Sequence, residues 1–145
     1  MNDDARLNDV AMRQPAFART LGISILEASR ERVVMELPVT EALSNRNGVM
    51  HGGAILGLTD NAGGTASSLN LKDGENTVTL ESKVNFLRPI RIGDVARATV
   101  TPVHVGNTTQ IWQIAVTRGD GKLAAQVTQT QMTIAWKEPA EVPKA

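Results

Sequence analysis

Residues 52–69 constrain the fold of this chain more than any other stretch. A polar loop from Asn45 to Met50 leads into His51-Gly52-Gly53, and the segment that follows has a helical period. At about 100° per residue, Ile55, Leu58, Ala62, Ala66 and Leu69 gather on one face, a stripe suited to packing on a sheet. The opposite face carries Gly53, Gly57, Asp60, Gly64 and Ser67. Each interior glycine costs a helix about 1 kcal/mol relative to alanine, so propensity alone argues against a helix here. The segment is expected to be helical because something packs on the small-residue face more closely than a Cβ allows. Asp60 lies in the middle of that face, so it is a candidate site residue; the plainer alternative is a solvated carboxylate on an exposed helix.

The flanking sequence is of a different kind. Residues 4–20 have a loose apolar stripe (Leu7, Val10, Ala11, Phe17, Leu21) interrupted by Pro15 and stopped by Gly22, which predicts an N-terminal helix that caps the main body. Ile23–Ser29 and Arg32–Val39 read as strands, with a short helical turn at Thr40–Ser44. After the polar loop at Asn70–Asn76, four β-type segments follow: Thr77–Leu87, Val95–Val105, Thr108–Arg118 and Leu123–Trp136, separated by Pro89, Gly93-Asp94, Gly106-Asn107 and Gly119-Asp120-Gly121. Strict alternation places Val78, Leu80, Val84 and Phe86 on one face of the first of these and Thr79, Glu81, Lys83 and Asn85 on the other. One helix among hairpin-linked strands predicts an α+β domain, a long central helix wrapped by a curved antiparallel β-sheet. Residues 1–136 are expected to form one domain, and Lys137–Ala145, with two prolines, a flexible tail.

Composition removes several function classes. The chain of 145 residues has no cysteine, so it has neither a disulfide framework nor a thiolate centre. Fifteen basic residues balance fifteen acidic ones, which gives no basic field for nucleic acid or an anionic membrane. Tyrosine is absent and there are two Trp and two Phe, too few for a base-stacking platform. Two histidines make a dedicated metal site an unfavoured expectation. The acidic start, Met1-Asn2-Asp3-Asp4, does not read as a secretory signal, and no apolar run approaches the ~20 residues that span a bilayer. These features predict a cytoplasmic protein with no nucleic-acid or membrane partner.

The residues that identify a family are spaced along most of the chain. Gly48-Val49-Met50-His51-Gly52-Gly53-Ala54 is followed by Asp60-Asn61-Ala62, then Val84-Asn85-Phe86-Leu87-Arg88-Pro89, then Gly93-Asp94. This combination resembles the hotdog-fold acyl-CoA thioesterases of the PaaI-like (phenylacetate-degradation, 4-hydroxybenzoyl-CoA thioesterase-like) type, over roughly residues 40 to 135. The resemblance implies an acyl-CoA substrate, with coenzyme A as part of the substrate and no separate cofactor. It implies a homodimer whose sheets join edge to edge and whose active sites are shared between subunits, paired again into a homotetramer. A closely approaching partner chain would then account for Gly53, Gly57 and Gly64.

The resemblance also assigns roles. Asp60 matches the catalytic carboxylate, acting as general base on water or as nucleophile. Gly52, at the expected helix start, carries one of the backbone N–H groups that a helix leaves unpaired, and matches the donor that stabilises the oxyanion. Asn45 falls where relatives carry an amide that holds the thioester carbonyl or the water. Thr79 matches a hydroxyl residue that orients water. His51 is expected to shape the loop by hydrogen bonding, with a secondary part in catalysis. Gly53, Arg88 and Arg91 are candidate substrate contacts, the arginines toward the phosphates of coenzyme A; Arg118 and Lys122 flank a hairpin and share that expectation. No phosphate-binding glycine loop is present, because Gly-Gly-Ala-Ile-Leu-Gly follows a loop and has no Lys-Ser/Thr ending. The rival readings are a hotdog hydratase or dehydratase, whose His-acid spacing this chain lacks, and a non-catalytic acyl-CoA sensor, for which the first 22 residues are too short to supply a helix-turn-helix.

Overall fold

A computed structural model describes residues 3–137. Two short helices come first, α1 (Asp3–Met12) and α2 (Ala16–Leu21). The single N-terminal helix expected at 4–20 is divided because Pro15 disfavours helical geometry in the residue before it and sits, extended, at the N-cap of α2. Gly22 ends α2 with φ of 89°, a left-handed conformation that suits a residue without Cβ. Strands β1 (Ser24–Ala28) and β2 (Val33–Pro38) form a hairpin, and a single 3-10 turn at Glu41–Leu43 precedes the polar loop. Helix α3 (Gly52–Ser68) follows, then β3 (Glu75–Phe86), β4 (Val95–Val105), β5 (Thr109–Thr117) and β6 (Leu123–Ala135).

The six strands make one antiparallel sheet in the order β1-β2-β4-β5-β6-β3, so β1 and β3 are its edges. Period-2 alternation turns Val33, Met35 and Leu37 of β2, Ala96, Ala98 and Val100 of β4, and Trp112, Ile114 and Val116 of β5 toward the same buried core. Helix α3 lies on that face. Ile55, Leu58, Ala62, Ala66 and Leu69 are each 5% exposed or less, the stripe read from the sequence. Burying Ile55, Leu58 and Leu69 is worth roughly 1.5–3 kcal/mol apiece, against about 1 kcal/mol lost at an interior glycine. Packing therefore outweighs propensity.

The glycines of α3 do not share one neighbour. A Cβ on Gly57 would lie 2.9 Å from Leu21 Cδ1 and 3.3 Å from the Phe17 ring, so α2 of the same chain makes that close approach. Gly64 has open space around its missing Cβ. Ser67 is fully buried and accepts a hydrogen bond from Trp112 Nε1 at 2.7 Å, which places it toward the sheet rather than on an opposite face.

Edge strand β3 carries the other departure from the expected pattern. Its register against β6 shifts between Thr79 and Glu81, leaving Leu80 as the extra residue of a β-bulge. One extra residue inverts the alternation beyond it. Thr77, Thr79, Ser82, Val84 and Phe86 consequently all serve the α3 side, while Val78 and Leu80 are 40% and 57% exposed. Val84 and Phe86 share a face with Thr79, not with Val78 and Leu80. No helix of the described residues is long and apolar enough to cross a membrane.

Candidate active site

The N-terminus of α3 is built by the loop before it. His51 is the N-cap, in extended geometry (φ −64°, ψ 137°), and its Nδ1 accepts the Gly53 N–H at 2.8 Å. The N–H groups of Ala54 and Ile55 reach His51 O at 2.9 and 3.2 Å. Gly52 N–H is left without an acceptor among the described residues, at the end of the helix where the backbone dipoles add positive potential. The Gly53 N–H, by contrast, is already used by His51. Asn45 Oδ1 accepts from the N–H groups of Asn47 (2.9 Å) and Val49 (3.4 Å), an Asx-turn that folds the loop and leaves Nδ2 as the free end of the amide.

Asn45, Met50, Gly52, Phe86 and Arg88 line one cleft of about 370 Å³. The Phe86 ring stands close over Gly52: a Cβ there would lie 3.1 Å from Cζ. Arg88 is exposed and donates from Nη1 to Leu123 O at 2.7 Å, which ties the Phe86–Pro89 corner to the β5–β6 hairpin. Arg91 is exposed, with no side-chain partner among the described residues. Arg118 is occupied by Asp120 and by Pro89 O.

A second group forms further along α3. Asp60 is eight residues after Gly52, about 12 Å along the helix axis at 1.5 Å per residue. Its Oδ1 accepts two hydrogen bonds, from Thr79 Oγ1 and from Gln129 Nε2, both at 2.8 Å. Its Oδ2 accepts none from the described residues, and the side chain is exposed. The candidate residues thus fall into two clusters, Gly52 with Asn45, His51 and Arg88, and Asp60 with Thr79.

Residues 47–125 match the Thioesterase superfamily. The chain belongs to that family. It is a thioester hydrolase with the hotdog fold. The thioesterase HI1161 of Haemophilus influenzae superposes with a TM-score of 0.81 at 30% identity, over 94% of each chain. The PaaI protein from the E. coli phenylacetic acid degradation operon does so with a TM-score of 0.82 at 26% identity, over 91% of this chain and 94% of that one. A 1,4-dihydroxy-2-naphthoyl-CoA hydrolase of Listeria monocytogenes is 32% identical over 104 residues, which are 72% of this chain and 84% of that protein. These relatives support acyl-CoA thioester hydrolysis as the general activity of this thioesterase.

Sequence reading missed part of the Asp60 cluster. Gln129 and Gln131 are 0% and 1% exposed on β6, on the same strand face as Val127 and Ala125. The available signal was a Gln-x-Gln pair continuing an inward-facing apolar alternation. Among the described residues, no group of three or more His, Asp or Glu is placed to hold a metal ion.

Proposed function

We propose that this thioesterase hydrolyses an acyl- or aryl-CoA thioester to free acid and coenzyme A, with Asp60 as general base or nucleophile and Gly52 N–H as oxyanion donor. The observation that carries the reading is the division of donors and carboxylate along one helix. A reacting carbonyl must lie about 3 Å from both the attacking group and the oxyanion donor, whereas Asp60 and Gly52 of one chain are about 12 Å apart along α3. The site is therefore assembled from two copies, Asp60 and Thr79 from one and Gly52 and Asn45 from the other. Edge strand β3, with Val78 and Leu80 exposed, supplies an unpaired row of backbone groups on which a second copy can pair isologously.

As a base, Asp60 accepts a proton from water through Oδ2 while the water oxygen bonds to the thioester carbon. Negative charge then develops on the carbonyl oxygen, where Gly52 N–H and Asn45 Nδ2 donate to it. Collapse breaks the C–S bond, and the proton returned by Asp60 leaves with the thiol. As a nucleophile, Oδ2 bonds to the same carbon, thiolate departs, and water hydrolyses the mixed anhydride. Both routes need an ionised carboxylate with one oxygen free, and Arg88 and Arg91 are the cations at hand for the coenzyme A phosphates.

Replacing Asp60 by Asn keeps the size and hydrogen-bonding reach of the side chain and removes its basicity. Thiol release from a panel of acyl-CoAs is expected to fall about 100- to 10,000-fold in kcat, the usual worth of a general base, with little change in KM. Turnover within a few-fold of wild type would sink the role assigned to Asp60. Hydration of an enoyl-CoA without thiol release would overturn the reaction itself. Sedimentation should show a dimer or a larger even assembly, and a monomer with full activity would exclude the shared site.

A further inference from the structure

Around Asp60 the protein joins uncharged polar groups of β3 and β6 in one network, of which Gln129 and Gln131 are buried. Thr77 Oγ1 donates to Gln131 Oε1 at 3.0 Å. Gln131 Nε2 donates to Thr79 Oγ1 at 2.8 Å and to Gln129 Oε1 at 2.9 Å. Gln129 Nε2 donates to Ser82 Oγ at 2.9 Å and to Asp60 Oδ1 at 2.8 Å. Thr79 Oγ1 donates to the same Oδ1.

The hydrogen positions in this network are forced. A carboxylate only accepts, so Gln129 must turn its NH₂ toward Asp60 and its oxygen away. That oxygen then needs a donor, and Gln131 Nε2 is the one that reaches it. The second hydrogen of Gln131 Nε2 goes to Thr79 Oγ1, which frees the hydroxyl hydrogen of Thr79 for Asp60. Gln129 Nε2 and Thr79 Oγ1 both donate to Oδ1, and no group of the network donates to Oδ2. Space for it is cut into α3 itself: a Cβ on Gly63 would lie 1.8 Å from Gln129 Oε1. A buried amide left without partners costs about 1–3 kcal/mol, and an apolar pair at 129 and 131 would carry no such liability. An arrangement made only to fill the core would not need these two glutamines.

We propose that Gln129, oriented by Gln131 and seated in the notch left by Gly63, is a positioning residue that pins Asp60 Oδ1 and so presents Oδ2 to the substrate. This rests on the reading of Asp60 as base or nucleophile. Gln129 touches no reacting atom and acts through Asp60. The consequence is selective: loss of the amide should weaken the chemical step without weakening binding.

The test compares Gln129→Met and Gln131→Met, each alone and combined with Asp60→Asn, by thiol release and thermal melting. In Gln129→Met, which keeps the volume and removes the donor, kcat is expected to fall about 10- to 100-fold with KM within about threefold, the scale seen when partners that orient a reactive ligand are lost. Gln131→Met should show a smaller loss in kcat. In the Asp60→Asn background neither change should lower the residual rate further, because groups acting as one unit are not additive. Unchanged kcat in a folded Gln129→Met, a rise in KM in place of a fall in kcat, or an undiminished loss in the Asp60→Asn background would each overturn the proposal. If Gln129→Met does not fold, Gln131→Met carries the same cycle. Normal turnover by Asp60→Asn would defeat the functional reading, whereas an inactive Asp60→Asn beside a fully active Gln129→Met would defeat only the positioning role.

Discussion

The first turn of α3 and its middle solve opposite problems. In the proposed site Gly52 contributes a backbone N–H, left free by an N-cap that spends its own acceptor on Gly53 and opened to a cleft by the absence of a side chain. In the same proposal Asp60 contributes a side chain, and the protein restrains it with the buried Gln129 amide of β6 and the exposed Thr79 hydroxyl of β3. A backbone donor is rigid because the helix is rigid, so it needs only an empty space in front of it. A carboxylate on an exposed helix face is not rigid, and needs neighbours to hold it.

That difference is tested most sharply at residue 52. Gly52→Pro removes the N–H at the first helical position, where proline is tolerated, and His51 already has the extended geometry that a residue before proline requires. The Phe86 ring, 52% exposed, has room to yield the few tenths of an ångström that a Cβ demands. Losing one oxyanion donor typically costs about 100- to 1,000-fold in kcat, so Gly52→Pro should lose that much, and Gly52→Ala, which keeps the N–H and adds the same Cβ, far less. Equal losses in the two variants, measured as kcat for thiol release, would show that shape and not the donor matters at this end.

Adjacent glycines sharpen the other side of the comparison. Gly63→Ala drives a Cβ into Gln129 Oε1, with Ile114 Cδ1 at 3.3 Å closing the remaining space, and overpacking of this kind costs roughly 1–3 kcal/mol. Urea unfolding should report that loss, and kcat should fall with it because the amide is displaced. Gly64→Ala meets nothing within the chain and should gain up to about 1 kcal/mol from helix propensity. A destabilised Gly64→Ala would mean that a second copy packs there, which is the partner approach that the small-residue face first suggested.

The fold was legible because its signals are local and repeated. The apolar stripe of α3 and the boundaries of β4, read as Val95–Val105, agree with the structure because 3.6- and 2-residue periods leave direct traces in sequence. The phase of β3 was not legible beyond Leu80. A bulge is defined by its partner strand, and nothing in Thr79-Leu80-Glu81 marks it. His51 and Gly52 stood out through the contiguous run Gly48–Ala54. The support of Asp60 did not, since Gln129 and Gln131 lie 69 and 71 residues from it and look like the polar positions of an ordinary strand until their burial is known. Gly63 was passed over for the same reason: its neighbour, Gln129, is distant in sequence.

A second aspartate with two donors shows what the Asp60 arrangement is not. Asp120, at the β5–β6 turn, accepts from the Arg118 guanidinium and from the Lys122 N–H. The Arg118 hydrogen bond, with the Lys122 N–H second, holds its carboxyl down at about 2, below the ordinary 3.8. A carboxyl lowered on folding stabilises the fold above its unfolded value, and that contribution is lost as pH falls from 3.8 through about 2. Asp120→Asn should therefore melt slightly below wild type at pH 7, and the two melting curves should converge near pH 2. The difference stays small because the pair is exposed to solvent and screened by salt. Its kcat and KM should match wild type if Arg118, which donates to Asp120 and to Pro89 O, serves the hairpin and not a phosphate. A clear rise in KM would place this hairpin on the substrate path and make a charged clamp, rather than an uncharged network, part of how the chain handles coenzyme A.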